Sequence, residues 1–299
     1  MIKINDNDYR LVLLDTNALS EFAKHDESFR RFVTWSITPP QPMFVPCFSA
    51  FSLLELRRYP DVYGRFSQLF RELPCMLVKS HEELLDDEVR CYPDPSDINP
   101  TSVGFSTQGG KGTDLDRVLE MASADETVLR QEKYWNDAAH DIVEGIASLV
   151  PNFPPDRDTY TRVEVQRFLE ITVFSQIAMR HHDFAEQMVT RANQPVNISA
   201  FPSVKATAYA VWHKFYADLN RKRARSDAFD IIIVSAVPYV DAIITERHLA
   251  QGLRQAKRMD NFIEHLTIQT LPDFRHSAPP IHAPLASIRA APPLTTRHR

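Results

Sequence analysis

The chain has 299 residues, 43% of them hydrophobic, and a net charge of -5, which gives it the length and apolar content to bury a sizeable core. A pI near 6.1 excludes nucleic-acid binding through a whole-chain basic excess and leaves only a local patch for that role. Cys47, Cys75 and Cys91 match no metal-ligand spacing and exclude a disulfide framework of more than one bridge.

Residues 1–6 lack the basic flank and apolar stretch of a secretory leader. The most apolar segment, 231–244, is too short to span a bilayer and contains Pro238 and Asp241. The expectation is a cytoplasmic protein with reduced thiols and no membrane partner.

Leu11, Val12, Leu13 and Leu14 form an unbroken apolar run that stops at Asp15, Thr16 and Asn17. Such a run suits a strand buried on both faces of a sheet flanked by helices. An acid just past its carboxyl end stands where open α/β sheets gather ligands and metals. The same residues also suit a turn that caps a helix beginning near Ala18. Helices are predicted over 18–22 and 29–35, ending at Pro39 and Pro40. Residues 43–48 read as a buried strand that Pro46 confines to an edge or an end. Ser49 or Ser52 caps the next helix, which runs to about Tyr59. In it Glu55 stands among Leu53, Leu54 and Leu56, facing a partner or a cleft, or pairing with Arg57 or Arg58.

The pattern continues with a helix over 62–73, a short strand over 76–78 and a helix over 81–88. From Tyr92 to Gly112, prolines and glycines replace apolar residues, which reads as a loop. Gly109, Gly110, Lys111 and Gly112 lack the preceding strand and the spacing of a phosphate loop. Helical periodicity returns over 114–150 and 159–191 and reads as an inserted helical layer or subdomain. His181, His182 and Asp183 are adjacent rather than one turn apart, the pattern of a solvated turn rather than a metal site. A helix over 201–220 carries Tyr209, Trp212, Phe215 and Tyr216 at core spacing.

Ser226 suits an N-cap, with Asp227 in the first turn and Asp230 on the same face. Just before it, Arg221, Lys222, Arg223 and Arg225 form a basic stretch that serves either as phosphate contacts or as a solvated linker. The helix is apolar from Ile231 to Val234 and ends by Pro238 and Tyr239. A strand over 240–245 then stops at Thr245 and Glu246, repeating the pattern of Asp15. A helix over 248–259 and a strand over 267–271 follow. Proline- and alanine-rich sequence over 273–299 reads as a disordered tail.

Asp15, Glu55, Asp227, Asp230 and Glu246 converge in this arrangement above one parallel sheet. Two unit charges about 4 Å apart repel by roughly 4 kcal/mol at an effective dielectric near 20. Such a cluster requires cations or protons, and all-oxygen donors suit Mg²⁺ or Mn²⁺. The matching reaction is phosphodiester hydrolysis.

Leu13-Leu14-Asp15-Thr16-Asn17, the helix with Glu55, the helix opening at Asp227 and Asp230, and Ile243-Ile244-Thr245-Glu246 together resemble a PIN domain. The resemblance covers residues 9–80 and 205–272, with 81–204 as a loop plus helical insertion. It implies a three-layer α/β/α sandwich with a central parallel sheet and a Mg²⁺- or Mn²⁺-dependent endoribonuclease, as in the toxins of toxin–antitoxin pairs. RNA is the implied substrate and an antitoxin or regulator the implied protein partner, with self-association left open. On this resemblance Asp15 is the first metal acid and Asn17 its helper. Glu55 is the second acid, Asp230 or Asp227 the third and Glu246 the fourth, with the Thr245 hydroxyl beside it. The family's fourth acid is normally aspartate, and Asp241 at the strand's other end is a substitute or a supporting partner. With glutamate in that position, the alternative is a catalytically weak or inactive PIN-like module that binds RNA or a protein partner.

Overall fold

The computed structural model describes residues 2–4, 7–37, 43–71, 73–105, 160–190, 197–217 and 226–276, with isolated positions between 117 and 137. The basic stretch Arg221, Lys222, Arg223 and Arg225, the tail beyond 276 and most of the helices expected over 114–150 lie outside the described residues.

The chain runs β1 (Ile2–Ile4), β2 (Asn7–Leu14), α1 (Thr16–Lys24), α2 (Asp26–Ile37), β3 (Phe44–Phe48), α3 (Ala50–Arg57), α4 (Pro60–Phe70) and β4 (Cys75–Val78). It continues through α5 (His81–Cys91), β5 (Thr101–Phe105), α6 (Arg162–Arg180), α7 (His182–Thr190) and α8 (Pro202–Trp212), which leads into a π-helical turn, His213–Ala217. It ends with α9 (Ser226–Val234), β6 (Ala242–Thr245), α10 (Arg247–Met259), β7 (Thr267–Thr270) and α11 (Leu271–His276). Capping boxes set two of these starts: Ser80 with Glu83 opens α5, and Thr161 with Glu164 opens α6.

The strands form a mixed, mostly parallel sheet in the order β5-β4-β3-β2-β6-β7, and β1 pairs antiparallel with β2 off this path. The alternation of side chains along β2 divides the protein into layers. Leu11 and Leu13 enter one core and Val12 and Leu14 the other, and all four are at most 1% exposed. A strand of this kind cannot tolerate a polar side chain on either face.

On the Val12 and Leu14 side lie α1 to α4 and α11, joined by an aromatic cluster. Phe22 stacks on Phe32 at 4.8 Å, Trp35 on Phe44 at 4.6 Å, and Phe274 of α11 meets Phe22 edge-on at 5.7 Å. Arg275 holds α11 in place through its ion pair with the buried Glu21, while Arg31 donates to the carbonyls of Phe274 and Arg275. Helix α11 therefore runs into the stretch 273–299 that was expected to be a disordered tail, ordering it as far as His276.

The Leu11 and Leu13 side is covered by residues of α5 to α10. Leu84, Leu85, Val165 and Phe168 share one core with Leu11, Leu13, Val45 and Cys47 of the sheet. The segments 81–91 and 162–190, expected to form an insertion, thus supply part of a structural layer. Two expectations are corrected. Gly104 lies in β5, antiparallel to β4, rather than in a loop. Pro46 lies in an interior strand, since β3 pairs with both β2 and β4; the β4 ladder begins only at Cys47, so the proline precedes it.

Two buried contacts fix α8. At its start, Glu88 accepts hydrogen bonds from the Ser203 backbone N–H (2.6 Å), the Ser203 hydroxyl (2.8 Å) and the Tyr239 hydroxyl (2.6 Å). Burial nevertheless pushes the Glu88 carboxyl up to about 7, against these hydrogen bonds, which favour the anion. At the other end, His213 packs so closely on α10 that a Cβ at Gly252 would stand 2.8 Å from its Nδ1.

Gly252→Ala is expected to lower the unfolding free energy by about 1–3 kcal/mol through overpacking, read by urea denaturation. For Glu88 the folded protein holds a proton that the unfolded chain releases between its ordinary value and about pH 7. Its stabilising contribution is complete below pH 4.5 and lost as pH rises to about 7. Unfolding measured across that window should show stability falling with pH, and Glu88→Gln should make the fall shallower.

Candidate functional site

The site lies where β2 and β6 end side by side. Their parallel register pairs Leu14 with Ile244, which brings Asp15 and Thr245 next to each other. The chain turns at both points into a helix, α1 from Asp15 and α10 from Glu246. Two acids are thereby delivered to the carboxyl end of the parallel strands by the same local device.

Asp15 accepts the Ala18 backbone N–H at 2.6 Å on one oxygen and the Thr245 hydroxyl on the other. It is 2% exposed, and Thr245 is fully buried. Burial raises the Asp15 pKa to about 7; the Thr245 and Ala18 hydrogen bonds oppose this, and the charges of Asp230 and Glu246 add to it. The shift shows that both acids lie within electrostatic reach of Asp15. Asp15 thus both caps a helix and forms the centre of an acidic group.

Glu246 is half-buried and makes no side-chain capping bond, so its carboxylate is not spent on α10. Asp227 and Asp230 share one face of α9, as their spacing requires. A single ammonium bridges them: Lys214 Nζ lies 2.9 Å from Asp227 Oδ1 and 2.7 Å from Asp230 Oδ2. The side chains of Lys214 and Asp227 are 1% and 2% exposed, whereas Asp230 is 19% exposed. Asp230 is the member of the pair that reaches solvent.

The remaining candidates are placed differently. Glu55 is half-buried on α3, which meets α9 through Phe51 and Phe229, 6.3 Å apart. The charges acting most strongly on Asp15 are nevertheless those of Asp230 and Glu246. Asn17 is exposed on the first turn of α1. Asp241 belongs elsewhere: its carboxylate accepts the Leu11 N–H at 2.9 Å, at the start of β6 and the opposite end of the sheet from Asp15. It secures the β2–β6 pairing and contributes nothing to the site. His182 and Asp183 project into solvent, 81% and 99% exposed, from the first turn of α7 rather than from a turn between elements, and His181 bonds Asp86 at 2.8 Å.

Sequence reasoning missed Lys214. The available signal was a lysine between His213 and Phe215 in a run of residues otherwise fit for a core. It also missed the Thr16 hydroxyl, which is buried beside Asp15 without a hydrogen-bond partner in the protein.

Among the described residues, no three His, Cys, Asp or Glu side chains stand close enough to cage a metal ion. Mg²⁺ rarely uses such a cage; one or two carboxylates, waters and a substrate phosphate suffice. Asp15 and one facing acid, Asp230 or Glu246, offer the oxygen donors that an open site of one or two carboxylates needs, and the ammonium of Lys214 on Asp227 and Asp230 shows the demand of that pair for positive charge. The residues fit an open site of this kind and not a closed one.

No family model, curated protein or solved structure matches the chain.

Thr245→Val removes a hydrogen bond that lowers the Asp15 pKa. In a carboxyl-carbon NMR titration Asp15 is therefore expected to titrate above pH 7 in the variant, with no change at Glu88.

Proposed function

We propose that this chain is a PIN-like, divalent-metal-dependent endoribonuclease that hydrolyses phosphodiester bonds beyond the carboxyl ends of β2 and β6. The supporting observation is Asp15, a buried carboxylate fixed by two hydrogen bonds and raised to about 7 partly by the facing charges of Asp230 and Glu246. Negative charge collected at a strand end, with no arginine or lysine against Asp15 itself among its principal partners, is suited to recruiting a cation.

Mg²⁺ or Mn²⁺, when bound, supplies charge stabilisation at the phosphate and lowers the pKa of a water so that it can attack at neutral pH. Asp15, with one of Asp230 and Glu246, would hold the ion, waters and the substrate phosphate completing its shell. The Ala18 N–H and the Thr245 hydroxyl keep the Asp15 carboxylate in one orientation, the role of outer-shell partners in metal sites. Asp15 must shed its proton to act as a ligand, so protons compete with the ion below about pH 7. Glu55 on α3 and Asn17 on α1 stand on neighbouring elements, and Asp227 is sealed in its pair with Lys214. The basic stretch Arg221, Lys222, Arg223 and Arg225, which immediately precedes α9 in sequence, supplies the phosphate contacts that guide RNA in. No helix among the described residues is long and apolar enough to cross a membrane.

The Lys214 bridge favours a second reading, a catalytically weak or inactive PIN-like module that binds RNA or a protein partner, because the ammonium already satisfies part of the acidic charge. One experiment separates the two. Purified protein incubated with RNA and Mn²⁺ or Mg²⁺ should cleave it. Asp15→Asn should cut the rate at least about a hundredfold, since loss of mere outer-shell groups already costs 10–100-fold in metal sites. Its melting temperature should hold, and Asp241→Asn should cleave like the parent. Full activity in Asp15→Asn would remove the assignment, and RNA retention without cleavage by the parent would select the second reading.

A further inference from the structure

Helix α10 starts beside the candidate site and carries charge of one sign. Its N-cap is Glu246, next to Thr245, and its thirteen residues include Arg247, Arg254, Lys257 and Arg258 but no acid, in a chain whose 39 acids outnumber its 34 lysines and arginines. Leu249, Leu253 and Ala256 turn inward, and Gly252 lies against His213. The outer side is a stripe: Arg247, Gln251, Arg254 and Arg258 are all exposed, at alternating four- and three-residue spacing that lines them up along one face. From the first to the last the helix rises about 16 Å. Because β6 and β7 are parallel, α10 carries the chain back along the sheet, so the stripe runs from the strand ends at Asp15 towards the far end of the strands. There Arg162, also exposed, donates to the Met259 carbonyl at 2.8 Å and adds a further cation.

These charges work against the helix that carries them. Arg247 occupies the first turn, where the helix dipole disfavours a cation. Arg254 and Arg258 stand one turn apart and repel each other. Among the described residues none of the three makes an ion pair. Arg254 donates to the Ile268 carbonyl at 3.3 Å, and Asp260, the acid that follows the helix, is bonded to Lys205 at 2.5 Å. Neither helix stability nor an internal partner accounts for the stripe. A row of guanidinium groups without counter-charges is complementary to a polyanion that arrives from outside.

We propose that the α10 stripe is an RNA track, along which the phosphates of a single strand contact Arg247, Gln251, Arg254 and Arg258, with Arg162 at the far end. This rests on RNA as the ligand and not on the metal. Phosphate contacts position a strand and carry no sequence information, so the track aligns RNA and leaves the choice of bond to the site at its other end.

The test is binding of fluorescein-labelled oligouridine to the full chain in EDTA, where no divalent ion contributes, followed by fluorescence anisotropy over a range of KCl concentrations. Binding by the parent should weaken steeply with salt. In Arg247→Gln/Arg254→Gln/Arg258→Gln the slope of log K against log salt should become shallower by about 2, since each phosphate contact on a single strand contributes about 0.7. The melting temperature of this variant should match that of the parent, because all three side chains are exposed. Arg30→Gln, at an exposed arginine of α2 in the opposite layer, should leave the slope unchanged. An unchanged slope in the triple variant would overturn the track and leave the ribonuclease reading standing, as would a parent that binds no oligouridine in EDTA yet cleaves it with Mg²⁺. A parent that neither binds nor cleaves oligouridine would remove RNA as the ligand, and the track with it.

Discussion

A carboxylate sealed from water at the end of a strand buried on both faces is the constraint around which this protein is arranged. Because β2 gives one side chain to each layer in turn, neither face has room for Asp15; it emerges only where the strand stops. There it has three demands on it at once: the first turn of α1 needs a cap, Thr245 needs an acceptor, and the charges of Asp230 and Glu246 oppose its ionisation. These demands are compatible only if the ends of β2 and β6 stay in register, and Asp241 at the far end of β6 holds that register through the Leu11 N–H.

The two ends of the sheet use buried acids for different purposes. Glu88 spends both oxygens on α8 and Tyr239 and anchors the layer on the Leu11 side. Asp15 is equally enclosed, but two other carboxylates act on it. Both pKa values are raised to about 7, so the shift alone does not distinguish them. What separates a structural acid from a candidate chemical one is the company it keeps: hydrogen-bond donors around Glu88, further negative charge around Asp15.

Much of this could be read from the residues in order. The apolar run 11–14 ending in an acid, its echo at Thr245 and Glu246, and the three-residue spacing of Asp227 and Asp230 are local patterns, and local patterns survive folding. What was not legible depends on partners far away in the chain. Pro46 looked like an edge residue because nothing nearby reveals that the β4 ladder starts one residue later. Gly104 looked like loop because an antiparallel edge strand needs little apolar content. Which sheet face 81–91 and 162–190 cover was not legible, because that face is built from other parts of the sequence. Lys214 was passed over for the same reason: a lysine in an apolar helix is an anomaly whose explanation lies thirteen residues on, at Asp227.

The hydrogen bond from Thr245 to Asp15 joins residues 230 apart, and α11, which completes the aromatic layer over β2, comes later still. A contact with so long a loop to close is won late and slowly. During synthesis β2 must therefore wait, with one of its two parallel neighbours missing, until β6 has left the ribosome. A chain cut before β6 therefore lacks this pair of strand ends altogether, and the order of translation sets when the two come to lie side by side.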